Sequence, residues 1–162
     1  GNFNVQAGGN QWNLCYGSIP PAWNDETVAL VNYKHGKITA CDISKMQSHL
    51  KRDNSSGSPG AVADAFAKSG LFRWQTDLGE PQKFEVSSLA LGPDSVVATV
   101  QYQIKHRAQT QRYLAVVDTH SGKLIGRQEL SETPLPGGLL IDRQGQVVVT
   151  TISGSVLCYG KR

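Results

Sequence analysis

Charge is scarce in this sequence. Asp, Glu, Lys and Arg supply 18% of it against 39% apolar residues, which excludes a solvated, disordered chain. The formal net charge of +3 is too small an excess to point to nucleic acid. Long apolar runs are absent as well. Nothing approaches the roughly 18 residues a membrane-spanning helix needs, so no membrane span is expected. The N-terminus lacks a signal-peptide pattern, but the chain opens at Gly1 rather than Met, so this says nothing about export. Cysteine is limited to Cys15, Cys41 and Cys158, with no CxxC or CxxCH, which excludes c-type haem attachment and the common zinc spacings. The odd count leaves at least one thiol outside any intrachain disulfide. Buried free thiols are expected, and the redox compartment stays open. Gly-rich phosphate loops, GxSxG and HExxH are also missing.

What the chain does have is turn and strand chemistry. Seventeen glycines, seven prolines and frequent Val, Thr and Ser indicate many short strands joined by tight turns. Three segments align without a gap: Trp23–Val31, Leu91–Thr99 and Asp142–Thr150, each a polar turn followed by a β-branched run. The turns join first strands near Ser18–Ala22, Ser87–Leu91 and Gly138–Ile141 to second strands beginning near Val28, Val96 and Val147. Third strands recur at Lys37–Asp42, Tyr113–Asp118 and Ser155–Gly160. Fourth strands follow in two units, at Leu71–Leu78 and Lys123–Leu130. Once the inserts at 45–70 and 103–110 are set aside, the period falls near ~40–45 residues, the length of a four-stranded propeller blade.

The fold expected is therefore all-β: about three four-stranded antiparallel blades of a β-propeller, with one short helix inserted between strands. Residues 1–17 form an N-terminal arm or clasp strand, with Phe3–Gln6 as the clasp candidate. Residues 18–79 form a blade with a helical insert at 45–70, residues 80–131 a second blade, and residues 132–162 an incomplete last blade. Within the insert, Gly60–Lys68 reads as the helix, flanked by Pro59 and Gly70 and striped by Ala61, Ala65 and Phe66.

The run Ala115-Val-Val-Asp118-Thr-His-Ser-Gly122-Lys resembles the repeat signature of pyrroloquinoline-quinone-type, or quinoprotein-like, propellers. The family pattern places a Trp shortly after the glycine, where this unit has Gly126. The first unit is complementary: Ala40-Cys-Asp42 is followed, after the insert, by Phe72-Arg-Trp74, and Trp74 looks like the family's fourth-strand Trp. Physically, Asp118 can accept N–H bonds within a turn that Gly122 closes in the left-handed region. Trp74 can lie flat between adjacent sheets with its indole N–H on a backbone carbonyl. Trp74, Asp42, Asp118 and Gly122 are accordingly read as blade-docking residues. The resemblance also implies an exported setting, periplasmic or extracellular.

Catalytic, cofactor-binding and metal-ligating residues are not assigned. In quinoprotein dehydrogenases the cofactor and a calcium ion sit on the propeller axis beside a catalytic Asp, and none of those ligands can be placed in this chain. His35, His49, His106 and His120 share no strand or helix face by spacing, so they read as turn and insert residues rather than ligands. Lys105, His106, Arg107 and Arg112 form a small basic cluster. It reads as a grip on phosphate or an acidic partner, or as a solvated hairpin tip that protects an edge, the second reading being favoured. Asp25-Glu26 and Asp77 with Glu80 are acidic pairs in turns. Trp12 and Trp23 would be platforms if exposed on one rim.

Known propellers close with about four to eight blades, so three leave apolar faces open. Those faces call for the rest of a propeller, another subunit or self-association. The function expected is a non-enzymatic propeller segment for protein–protein contact or scaffolding, the C-terminal part of a larger propeller. Fragments of a quinoprotein-like oxidoreductase and of a carbohydrate- or surface-binding propeller are the alternatives.

Overall fold

The computed structural model of the chain describes residues 3–7, 10–15, 19–32, 37–52, 70–79, 84–103 and 110–160. These residues are mostly β. Sheet 1 contains β3 (Ala22–Trp23), β4 (Thr27–Asn32), β5 (Lys37–Asp42) and β6 (Phe72–Asp77). Sheet 2 contains β7 (Phe84–Leu91), β8 (Ser95–Gln103), β9 (Thr110–Asp118) and β10 (Leu124–Glu129). Sheet 3 has three strands, β11 (Pro134–Ile141), β12 (Val147–Thr151) and β13 (Val156–Tyr159). Each sheet is an antiparallel meander in chain order. The segment read as a clasp, β1 (Phe3–Ala7), pairs with β2 (Asn10–Cys15) in a separate hairpin. Among the described residues the strands close neither a barrel nor a ring.

Register shows how closely the units repeat. The first hairpin is closed by Trp23 opposite Val28, the second by Leu91 opposite Val96 and the third by Ile141 opposite Val147. In the first two turns the chain reverses through Asn24 N–H to Thr27 O and Gly92 N–H to Ser95 O. The third spans one residue more, from Asp142 N–H to Gln146 O, with Gly145 at φ +78°. The gapless alignment is thus off by one at its turn end: Asp142 matches Asn24, not Trp23. Both side chains serve the same purpose, since Asn24 accepts from the N–H groups of Glu26 and Thr27, and Asp142 from those of Gln144 and Gln146. A further shared detail lies in the fourth strands. Arg73 is bulged out between Cys41–Phe72 and Ala40–Trp74, as Ile125 is between Val117–Leu124 and Val116–Gly126.

Strand alternation assigns every sheet a back face, towards the lower-numbered sheet, and a forward face, towards the higher. The forward face of sheet 1 (Ala29, Val31, Ile38, Ala40, Trp74) packs on the back face of sheet 2 (Val86, Val96, Ala98, Val100, Tyr113, Ala115, Val117) in one core. The forward face of sheet 2 (Val97, Leu114, Val116) packs on the back face of sheet 3 (Leu139, Ile141, Val147, Val149, Leu157, Tyr159) in another. Sheet 2 is therefore buried on both sides, which explains its nearly unbroken Val, Ala and Leu runs. The first strands also neighbour one another, β3 beside β7 and β7 beside β11.

The helix described is α1 (Ile43–Arg52), directly after β5 and beginning ahead of the segment assigned to the insert; the expected helix at 60–68 lies outside the described residues. The start of α1 is set by Asp42, whose carboxylate takes the Lys45 N–H at 3.2 Å and the Ser44 hydroxyl at 2.7 Å as an N-cap. Met46 of α1 is buried and the helix lies against β5. The first strand of sheet 1 is only two residues long, because Pro20 and Pro21 have no N–H to give the ladder. No helix among the described residues is long and apolar enough to cross a membrane.

Candidate functional site

The joint between sheets 1 and 2 combines close packing with directed hydrogen bonds. Asp118 ends β9, and its Oδ1 accepts both the N–H and the hydroxyl of Ser121 at 2.6 Å. Gly122 N–H donates to the Asp118 carbonyl at 2.9 Å, and Asp118 N–H to the Lys123 carbonyl at 2.9 Å. The closed turn holds Gly122 at φ +70°, a conformation that costs glycine little. Trp74 of β6 lies directly on that glycine. A Cβ at position 122 would come within 2.6 Å of Trp74 Cγ, so only glycine admits the indole. Trp74 Nε1–H donates to the Thr119 carbonyl at 2.6 Å, and the Thr76 hydroxyl donates to the Gly122 carbonyl. The structure thus brings together Trp74, Asp118 and Gly122, three residues singled out in the sequence. Asp42 occupies the place in sheet 1 that Asp118 has in sheet 2, but there it caps α1 instead of closing a turn.

Sheets 2 and 3 meet without an indole, since Gly126 stands where Trp74 stands in sheet 1. Here Ser88 of β7 takes the role: its hydroxyl accepts Gly137 N–H at 2.9 Å and reaches the Leu135 carbonyl at 3.4 Å. Nothing in Ser88, the second of two serines within β7, marks it as a joint, because its partners are backbone groups of β11, distant in sequence. Glu132, ahead of β11, likewise accepts from Thr151 at 3.0 Å and from the Ser153 hydroxyl, tying the strand's entrance to the β12–β13 turn.

The acids of these turns are engaged in structure. Hydrogen bonds from the Ser121 side chain and N–H hold Asp118 below the usual carboxylate range; those from Ser44 and Lys45 do so for Asp42, and those from Ser153 and Thr151 for Glu132. Asp77 similarly receives the Gly79 N–H at 2.7 Å. Cys41 is a free thiol at 0% exposure whose burial pushes its pKa up to about 12, so it stays protonated and unreactive. Cys158 is also a free thiol but is exposed on sheet 3, against the expectation of burial, because its strand alternation turns it to the uncovered face.

Of the other binding-surface candidates, only Arg112 and Trp23 have described side chains, and they lie on different sheets. Lys105 and Arg107 lie outside the described residues. Arg112 sits within β9, opposite Gln101, half-buried, with its Nε buried and without a hydrogen-bond partner. Trp23 is 59% exposed at the end of β3, while Trp12 falls on β2, where side chains lie outside the described residues. His120 is exposed in the β9–β10 turn, and His49 falls on α1. Among the described residues no group of His, Cys, Asp or Glu is placed to hold a metal ion. What the arrangement does is mechanical: it fastens one sheet to the next and leaves sheet 3 with an uncovered face. No protein-family model matches the chain, and no curated protein matches it.

Proposed function

We propose that this chain is a segment of a β-propeller of the quinoprotein-like kind, and that it serves as a non-enzymatic scaffold for protein–protein contact. The reading rests on the Trp74–Gly122 joint, in which the indole of one sheet lies on the glycine of the next sheet's Asp-x-x-Ser-Gly turn. The repeated forward-to-back stacking of the sheets supports it, as does the succession of neighbouring first strands β3, β7 and β11. Each sheet is then a blade, the third with three described strands. The carboxylates of Asp118 and Asp42 are occupied by hydroxyl and N–H donors two or three residues on, and that of Glu132 by hydroxyls of the β12–β13 turn, which suits assembly better than proton transfer. The exported setting implied by the resemblance belongs to the same proposal.

The test is to incubate the purified chain with pyrroloquinoline quinone and calcium, pass it through a gel-filtration column and record its absorption spectrum beside a native mass. A scaffold emerges colourless above the tryptophan band and at the mass of protein alone. Retention of one quinone per chain would overturn the non-enzymatic reading in favour of a quinoprotein fragment.

A further inference from the structure

The forward face of sheet 3 repeats, position for position, faces that are buried elsewhere in the molecule. In sheet 1 the row across the forward face is Ala22, Ala29, Ala40 and Trp74; in sheet 2 it is Ala90, Val97, Val116 and Gly126; in sheet 3 it is Leu140, Val148 and Cys158. One row further on, Thr99 and Leu114 of sheet 2 correspond to Thr150 and Val156 of sheet 3. Sheet 2 buries Val97, Thr99 and Leu114 to 1% exposure or less. In sheet 3 Leu140 is 52% and Val156 61% exposed, and Cys158 is exposed beside them. The exposed surface carries no charged residue at any of these positions, so water covers a face built to meet another sheet.

The occupant follows from the stacking rule. Both established contacts set a forward face on a back face. A second copy of this chain has no back face to offer, because Val28, Leu30, Thr39 and Cys41 of sheet 1 are already buried, with Met46 of α1 among the buried residues. We propose that the forward face of sheet 3, centred on Leu140, Val148, Val156 and Cys158, is the docking site for the back face of a further antiparallel sheet supplied by polypeptide outside Gly1–Arg162. That back face is apolar and β-branched or small, as Val96, Ala98, Val100, Ala115 and Val117 are on sheet 2. The proposal rests on the stacked-blade reading above and adds which surface is used, with which polarity, and by what.

The experiment supplies such a sheet. Register places Tyr159 where sheet 2 has Val117 and Gly160 where it has Asp118, and by sequence count position 162 corresponds to position 120. Fusing a second copy of Ser121–Tyr159 after Arg162 therefore continues the repeat, with a back face already known to accept a forward one. The copy carries Cys158→Val and the parent chain Cys15→Ser, leaving Cys158 of the parent as the only exposed thiol among the described residues. Maleimide labelling of that thiol is expected to slow by about tenfold or more in the extended protein, and Val148→Lys in the parent sheet to restore the original rate. Equal rates with and without the added sheet would overturn the proposal. So would an unextended chain that sediments as a dimer with Cys158 protected, which would make a second copy the occupant. A chain carrying Val97→Cys, labelled beside the parent, separates this failure from that of the stacked-blade reading. If the thiol introduced at position 97 labels slowly while Cys158 is unaffected by the added sheet, the docking site alone is sunk. If that introduced thiol labels as fast as Cys158, the stacking itself is sunk.

Discussion

Trp74 donates its indole N–H to the carbonyl of Thr119 at 2.6 Å, so the fourth strand of one sheet is bonded to the turn that follows the third strand of the next. A large apolar surface and a directed polar bond act at one point. The hydrogen bond fixes the orientation of the ring, and the ring excludes water from the bond.

Substitutions at Trp74 separate the two contributions. Trp74→Ala removes the buried ring as well as the bond and is expected to cost about 3–5 kcal/mol. Trp74→Phe keeps most of the packing but leaves the Thr119 carbonyl unpaired, for about 1–2 kcal/mol. Urea titrations followed by circular dichroism give both values, and a Trp74→Phe chain as stable as the parent would show that the bond contributes nothing of its own.

Gly122 and Gly145 form a matched pair. Both have positive φ, but a Cβ at 145 meets nothing within 4 Å, whereas one at 122 strikes Trp74. Gly145→Ala is expected to cost about 1 kcal/mol from backbone strain, and Gly122→Ala at least twice that. In the double variant Gly122→Ala, Trp74→Ala the extra loss should largely disappear, since the clash has gone. Denaturant midpoints of the four proteins check the cycle.

The two thiols differ in their access to reagent. Cys158 should react with a thiol reagent at pH 8 in the native protein, and Cys41 only after unfolding. Burial raises the folded pKa of Cys41 to about 12 from its ordinary value of 9.0. Its neutral form therefore supports the fold fully below pH 9, and that support declines as the pH rises from about 9 towards about 12. A Cys41→Ala chain should show a flatter loss of stability over that interval than the parent.

Asp118 follows the reverse sign. Its Ser121 bonds lower the folded pKa, so the stabilisation is present above the unfolded value of 3.8 and is lost as the pH falls through the folded one. Asp118→Asn retains an acceptor oxygen and should weaken the turn little at pH 7, while flattening the acid limb of the stability profile. Thermal melts between pH 2 and 7 distinguish this from a turn in which the charge has no part.

The strands of the three sheets, their order and the turn chemistry were legible in the sequence because they are local, whereas β2 was not read as a strand. Val, Thr and Ala runs alternate faces, and Asn24, Asp118 and Asp142 bond N–H groups two to four residues away. Trp74 and Gly122 stood out because a large ring and a positive-φ glycine are conspicuous residue types. Less visible was α1, whose N-cap Asp42 also ends a strand, and whose short amphipathic run competes with the stronger loop signals that follow. The role of Ser88 could not be read at all, since Gly137 and Leu135 reach it only after two sheets have stacked.

By itself, the sequence determined which residues pair into strands and which alternate set is apolar, since both follow from backbone geometry within a few residues. Only the tertiary structure decided which apolar face meets which. The forward faces of sheets 2 and 3 carry the same Val and Thr, yet one is sealed and the other open, because burial depends on whether a neighbouring sheet is there to exclude the water.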